Sequence, residues 1–331
     1  MCGFIGYISK KNSPRNKKTE IKFKKYFNFL SNRGPDFKEE KKILNFDNLI
    51  HVGFSRLAIQ DVSSKSNKIF HNKDKMILFN GEIYNFKELK NEYFFNKNFE
   101  TNSDTELLFN ILEKFGTNII SKLKGIFSIV YFDFVKNEVY FIRDYTGTKP
   151  LYYLREKDFF AFSSEAWFLY SLSEKEINKN TLNFFLNFGF TKESETLIKN
   201  VKKIIPRKIY KFKLKDNKFE SKEFLNINLE KKSALPKQSY LNKKIQDTIE
   251  SNLVSDTKVG TFLSGGIDSS IVTLLAKKFN DKVESFTTVY LPNKKFKKFN
   301  VDFEYAKRVS SENNIKLNTY YVEDEKDFFR D

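Results

Sequence analysis

The only cysteine among the 331 residues is Cys2, directly behind Met1 in the opening run MCGFIGYISK. As a thiolate, cysteine is a strong nucleophile, but an ordinary thiol pKa near ~8.5 leaves only a small fraction ionised at neutral pH. Such a thiol needs a base. The chain holds two histidines, His51 and His71, so a histidine base has little material. The α-amine freed by removal of Met1, which the small Cys2 side chain permits, is the attractive candidate. An α-amine pKa of about 7.7–8.0 leaves it partly neutral, and it is attached to the nucleophile itself. A thiol attacking an amide also needs donors for the developing oxyanion. The run NGEIYNF, from Asn80 to Phe86, follows the strand-like KMILF and offers the Asn80 side-chain amide and the Gly81 backbone N–H. The same Asn-Gly pair also suits an ordinary hairpin turn.

A second constellation, SGGIDSS, runs from Ser264 to Ser270 between the strand-like VGTFL and the helix-like IVTLLAKKF. Gly265 and Gly266 let the backbone turn tightly, and free N–H groups at a helix start bind phosphate. Ser264, Ser269 and Ser270 add hydroxyl donors, and Asp268 can hold Mg²⁺ against phosphate oxygens. No Gly-Lys-Ser/Thr follows, so the loop is not a Walker A motif, and it lacks the dinucleotide fingerprint. A Ser/Gly turn with a helix cap is the plainer alternative.

These residues need elements to place them. Up to about residue 165 the chain alternates short apolar runs with turn residues, as in FIGYI, NLIHVGFSRLAI, KMILFNGEIY, GIFSIVYFDF and EVYFIRD. Their length and aromatic and β-branched content predict strands. Between them SDTELLFNILEKFG predicts a helix, capped by Ser103 or Asp104 and stopped at Gly116, with Leu107, Leu108, Ile111 and Leu112 on one face. The mixture predicts an α+β sandwich. Residues 213–238 are polar and read as a connection between a domain spanning 2–212 and another spanning 239–331. Leu241, Ile245, Ile249 and Leu253 then mark an amphipathic helix, and strand, loop, helix and strand follow in the βαβ order of a parallel α/β sheet. One such unit is short for a complete sheet, so this second domain is expected to be partial.

Composition narrows the classes. One cysteine excludes an intramolecular disulfide and a zinc site built on several thiolates. No apolar run reaches spanning length and no secretory leader is visible, so a soluble cytoplasmic protein is expected. The net charge of +17 comes from lysines spread along the whole chain with acidic residues among them, which reads as a solvated surface more than a nucleic-acid patch.

SGGIDSS resembles the pyrophosphate loop of the ATP-pyrophosphatase family. The order Cys2-Gly3, Arg33-Gly34-Pro35-Asp36, Arg56-Leu57, Asn80-Gly81-Glu82, Ser103-Asp104-Thr105-Glu106 and Arg143-Asp144…Gly147…Lys149-Pro150-Leu151-Tyr152-Tyr153 resembles the class II glutamine amidotransferase domain. Together they make essentially the whole chain similar to glutamine-hydrolysing asparagine synthetases. That resemblance implies a four-layer α+β N-terminal-nucleophile sandwich followed by an α/β parallel-sheet ATP-pyrophosphatase domain. It implies Cys2 as nucleophile, Asn80 and Gly81 as the oxyanion hole, and Arg56, Glu82 and Asp104, with Asn80 and Gly81, as the glutamine-binding set. Arg33 to Asp36 would lie near the mouth of the site, and the Arg143 to Tyr153 motif would be mainly structural. ATP and Mg²⁺ are the implied cofactors, with Leu263 and Thr288 at the adenine, Ser264, Gly265, Gly266, Asp268 and Ser269 at the phosphates, and Asp268 on the metal. Asn32 and Phe54 stand where the family often has histidine.

The expected activity is glutamine-dependent asparagine synthesis, with glutamine, aspartate or another carboxylate acceptor, and a second copy of the chain as partners. Membrane and nucleic acid are not expected. Three other readings stay open: the same architecture on a different acceptor such as a sugar acid or cell-surface metabolite, a glutaminase alone, and a basic ATP-pyrophosphatase acting on RNA.

Overall fold

In a computed structural model, which describes residues 1–224, 236–290 and 301–322, strands β1 (Gly3–Lys10) and β3 (Asn48–Arg56) appear where apolar and aromatic runs fall, and β2 (Phe37–Asn45), the charged stretch FKEEKKILN, pairs along β3 without such a run to mark it. They are followed by β4 (Lys75–Ile83), β5 (Gly125–Asp133), β6 (Glu138–Arg143), β7 (Tyr152–Glu156) and β8 (Phe159–Ser163). The short β9 (Val201–Lys203), β10 (Lys208–Lys213) and β11 (Phe219–Glu223) complete the first unit, Met1–Leu229. Two antiparallel sheets result, ordered β2-β3-β1-β8-β7-β9 and β11-β10-β6-β5-β4.

The two sheets face each other across one apolar core. Phe4, Ile8, Val52 and Phe162 of the first sheet meet Leu78, Val130, Phe141 and Phe212 of the second, all buried. Each such side chain, fully buried, stabilises the fold by roughly 1.5–3 kcal/mol before entropy is counted. The other face of β1 carries Ile5 and Tyr7, which pack on helices α1 (Arg15–Phe29) and α4 (Ala166–Leu172) through Phe23, Phe27, Phe168 and Leu169. On the far side α3 (Asp104–Phe115) packs on β4, with α2 (Phe86–Phe94) against α3. Helix, sheet, sheet, helix is the four-layer α+β sandwich the sequence predicts. A further helix, α5 (Lys179–Phe188), is capped by the Asn178 side chain and closed by left-handed Gly189.

The polar run beginning at residue 213 is not a connection at its start. Strands β10 and β11 form an antiparallel hairpin, with Lys211 opposite Glu220 and Phe212 opposite Phe219. Solvent-facing lysines and glutamates make this hairpin look like a linker, while Phe219 anchors it among Phe141, Tyr153 and Phe160. Residues 225–235 of the expected connection lie outside the described residues, and α6 (Gln238–Asn252) begins at its end.

The second unit, Glu230–Asp331, carries β12 (Gly260–Phe262), α7 (Ile267–Phe279), β13 (Glu284–Tyr290), α8 (Val301–Glu312) and β14 (Leu317–Val322). Its described strands form a parallel sheet in the order β12-β13-β14. Parallel neighbours require crossovers, and α7 and α8 supply them. No helix among the described residues is long and apolar enough to cross a membrane.

Candidate active site

Side chains alternate across a strand, so one inward row can be followed to its end. On β3 the row Ile50, Val52, Phe54 is core, and the next member is Arg56. On β4 Met76 and Leu78 are core, then come Asn80 and Glu82. On β5 Phe132 and Val130 are core, then Ser128. Backwards along β1, Ile8 and Phe4 precede Cys2, which is half-buried and packs against the same core. Four inward rows thus switch from apolar to reactive or polar, and Cys2, Arg56 and Glu82 are close enough to act on one another's charge.

Gly3 pairs with Ser55, which brings the chain beyond Arg56 alongside Cys2. The Leu57 backbone N–H donates to Cys2 Sγ at 3.4 Å, and the thiol faces the Leu57 carbonyl at 3.6 Å. Burial and the Glu82 carboxylate push the Cys2 thiol up, while the Leu57 N–H, the chain-terminal amine and Arg56 pull it down. In this chain that amine belongs to Met1 and donates to the Arg33 carbonyl at 2.9 Å. The Cys2 nitrogen is then a peptide nitrogen, and only loss of Met1 turns it into an amine. Neither histidine can substitute. His51 is on the opposite face of β3, stacked on Phe23 and 2.8 Å from Glu40, and His71 is exposed at a bridge to Met76.

Asn80, Gly81 and Glu82 are not a turn after β4 but part of it, paired with Ser128, Phe127 and Ile126. The Phe127 N–H and carbonyl both bond Asp144, on the side of β6. By antiparallel alternation, the facing Gly81 directs its own N–H and carbonyl away from β5, to the free edge of the sheet. The N–H groups of Ile77 and Ile83, four residues before and two after Gly81 and so in the same phase, also point there and bond Phe70 O at 3.0 Å and Asp104 Oδ2 at 2.9 Å. Glycine is required at 81 by close approach: a Cβ would stand 2.1 Å from the Ile126 carbonyl oxygen. The Asn80 side chain is buried, and both its Nδ2 and its Oδ1 lack a hydrogen-bond partner among the described residues. A buried amide without partners is costly and marks a site that awaits one.

The charged set surrounds this pair. Arg56 is buried, donating to Asn67 Oδ1 at 2.7 Å and to the Gln60 and Asp61 carbonyls at 2.9 and 2.7 Å. Those bonds fix the guanidinium without neutralising it. Gln60 donates to Glu82 at 2.6 Å, and Asp104, in the first turn of α3, is buried beside it. Burial and the neighbouring Asp104 charge push Glu82 up to about 8, and burial pushes Asp104 up to about 6. Two neighbouring carboxyls buried from water resist ionising together.

Arg33 stands beside Cys2. Its Nε donates to the Cys2 carbonyl at 3.1 Å, and its NH1 pairs with Glu165. Asp36 accepts from the Ala58 N–H at 2.7 Å, closing the loop that follows Leu57. The later motif folds into a turn held by side-chain hydrogen bonds. Asp144 accepts the N–H groups of Thr146, Gly147 and Thr148, and Arg143 donates to the carbonyls of Gly147, Lys149 and Ile204. This clamped turn aims buried Lys149, whose charge is felt by Glu82 and Cys2. The Gly-x-Lys-Pro spacing carries no mark of that position.

In the second unit, Gly266 caps α7 and Asp268 lies in its first turn, exposed. Ser264 Oγ bonds Ser269 Oγ at 3.0 Å, and the Ser269 and Ser270 hydroxyls donate to the Gly266 carbonyl at 3.0 and 2.8 Å. Gly265 has φ of +92°, and a Cβ there would meet the Asp302 carbonyl oxygen at 2.2 Å. The left-handed turn before a helix start leaves free N–H groups, a cradle that fits phosphate. No cluster of three potential metal ligands exists among the described residues. Asp268 therefore fits Mg²⁺ only as a single carboxylate beside phosphate oxygens and water. Leu263 is buried, with the parity of Thr261 and Ser285, whereas Thr288 is exposed with the parity of Phe286. The two expected adenine contacts lie on opposite faces of the sheet, so their side chains do not bracket one pocket.

Residues 1–225 match the glutamine amidotransferase domain family, and the chain belongs to it. Residues 240–330 match the asparagine synthase family. The chain is 32% identical over 328 residues to asparagine synthetase [glutamine-hydrolyzing] 1 of Bacillus subtilis, covering 96% of this chain and 50% of that protein. It is 32% identical over 316 residues to a putative asparagine synthetase [glutamine-hydrolyzing] 2 of Methanocaldococcus jannaschii, covering 87% and 59%. The chain spans about half the length of the curated relatives it matches. Among solved structures, a glutamine phosphoribosylpyrophosphate amidotransferase from B. subtilis aligns at 16% identity and a TM-score of 0.45, over 85% of this chain and 65% of that one.

Proposed function

We propose that this chain makes ammonia from glutamine at Cys2 and delivers it to a carboxylate activated by ATP, the chemistry of glutamine-dependent asparagine synthesis. The observation that carries the reading is that Cys2 lies close enough to Glu82 and Arg56 to act on their charge, while the unpartnered Asn80 amide and the free-edge N–H of Gly81 precede Glu82 on β4 and the buried Asp104 carboxyl stands near it. With Met1 removed, the neutral Cys2 amine takes the thiol proton. Sγ attacks the carboxamide carbon, and the carbonyl electron pair moves onto oxygen, where Asn80 Nδ2 and Gly81 N–H stabilise it. Collapse breaks the C–N bond, the amine returns its proton to the leaving nitrogen, and ammonia departs from a glutamyl thioester. Water then attacks the thioester and restores the thiol. Glu82 and Asp104 hold the substrate ammonium, and Arg56 its carboxylate.

The second unit takes ATP as substrate. Gly265, Gly266, Ser264 and Ser269 hold its phosphates, and Asp268 holds Mg²⁺ beside them. Aspartate is the acceptor that similarity to the relatives supports, and reducing cytoplasm suits the free thiol. Two measurements test the reading. Acid-quenched protein caught during turnover should carry a glutamyl adduct on the Cys2 peptide. Protein supplied with glutamine, ATP and aspartate should form asparagine with AMP and pyrophosphate. An adduct with no asparagine leaves the first half standing and overturns the synthetase half of the reading for this chain; absence of the adduct sinks the thiol mechanism.

A further inference from the structure

Ser128 is fully buried at the end of the β5 inward row, and its Oγ has no hydrogen-bond partner among the described residues. In the ladder it stands directly opposite Asn80 on β4 and opposite Arg143 on β6. Arg143 is committed elsewhere, to the carbonyls of Lys149, Ile204 and Gly147. On the Asn80 side, β4 is an edge strand, so no further strand competes for that amide. Along the same row, Leu78 offers nothing polar and Glu82 is held by Gln60. Two facing side chains with orphaned polar atoms are therefore left to each other, with Cβ atoms about 5 Å apart, as for any directly opposed pair.

The chemistry of the amide makes this pairing consequential. Asn80 can aid an oxyanion only if Nδ2, not Oδ1, faces the reacting carbon, and an amide alone in a pocket can flip. A hydroxyl that donates to Oδ1 fixes that choice. We propose that Ser128 is a positioning residue of the glutaminase site: its hydroxyl donates to Asn80 Oδ1 when glutamine binds, turning Nδ2 toward the oxyanion. The proposal rests on Asn80 acting as an oxyanion donor. It adds a residue of β5 to the set Cys2, Arg56, Asn80, Gly81, Glu82 and Asp104.

The test is a double-mutant cycle on the full chain, reading glutamate release. Asn80→Ala should lower kcat by about a hundredfold, the usual loss for one oxyanion donor. Ser128→Ala should lower kcat by about tenfold with KM within about twofold, since one buried hydrogen bond acting in the transition state is removed. In the double variant the Ser128→Ala loss should vanish, because its only partner is gone. Thermal unfolding of each variant checks that the fold survives. A Ser128→Ala protein at the wild-type kcat overturns the proposal and leaves the glutaminase reading intact. A tenfold loss that persists on the Asn80→Ala background also overturns it, marking a structural effect. If Asn80→Ala itself leaves kcat unchanged, the oxyanion reading fails, a result distinct from either.

Discussion

Asp104 reaches from the first turn of α3 to the free edge of β4, where its Oδ2 accepts the Ile83 N–H at 2.9 Å. That bond seats a buried carboxyl next to Glu82 and ties the helix start to the strand carrying Asn80 and Gly81.

A proton-linkage prediction comes from this pair. Both carboxyls are raised in the folded protein, Glu82 to about 8 and Asp104 to about 6, mainly by burial. Each carboxyl holds its proton more tightly folded than unfolded, so the unliganded protein should lose stability as pH climbs from the ordinary carboxyl range of about 4, through about 6 for Asp104 and about 8 for Glu82. The glutamine ammonium compensates that charge. Glutamine should therefore raise the unfolding temperature of Cys2→Ala protein more at pH 8 than at pH 6. Calorimetric titration in buffers of different ionisation enthalpy should show proton release on binding near pH 7. No proton release would place the substrate ammonium elsewhere.

Lys149 predicts an electrostatic effect on the nucleophile. Burial pushes its ammonium down, and the nearby Glu82 and Cys2 charges support it. Lys149→Met removes that cation, so Cys2 should ionise at higher pH and react more slowly. Iodoacetamide alkylation of Cys2 followed against pH should show a midpoint raised by about one unit, the size of one partly screened charge. An unmoved midpoint would make Lys149 structural only.

Gly81→Ala should damage both fold and activity. The added Cβ would stand 2.1 Å from the Ile126 carbonyl, so β4 and β5 must part. A stability loss of about 1–3 kcal/mol is expected for such overpacking, with glutaminase activity falling further because the edge N–H moves. Denaturant unfolding and glutamate release, measured together, separate the two effects.

Gly265→Ala tests the phosphate loop. Its φ of +92° and the 2.2 Å approach to the Asp302 carbonyl leave no room for a methyl group. Release of pyrophosphate from ATP with glutamine and aspartate should fall by more than about tenfold. Unchanged release would move the nucleotide away from this loop.

Much of the first unit was legible because its chemistry follows sequence periodicity. The β3 and β4 rows can be followed from Val52 and Leu78 to Arg56 and Asn80 by counting twos. The helix over Asp104–Phe115 carries its own start and stop in Ser103 and Gly116. Three features were hidden for physical reasons. Asn80-Gly81 reads as a turn because local chemistry cannot distinguish a hairpin from a strand edge held by β5. The hairpin after residue 213 reads as a linker because one aromatic, Phe219, secures an otherwise polar strand. Lys149 and Ser128 depend on which strands become neighbours, and no local pattern encodes that. In the second unit, Leu263 and Thr288 align with the family yet fall on opposite faces of the sheet, which only the parallel register reveals.

The most direct test of the account is glutamate release by Cys2→Ala protein beside wild type, at equal concentration and confirmed fold. The account predicts that the variant still binds glutamine, since Arg56, Glu82 and Asp104 remain, and releases no glutamate above background. Glutamate release at the wild-type rate would contradict it.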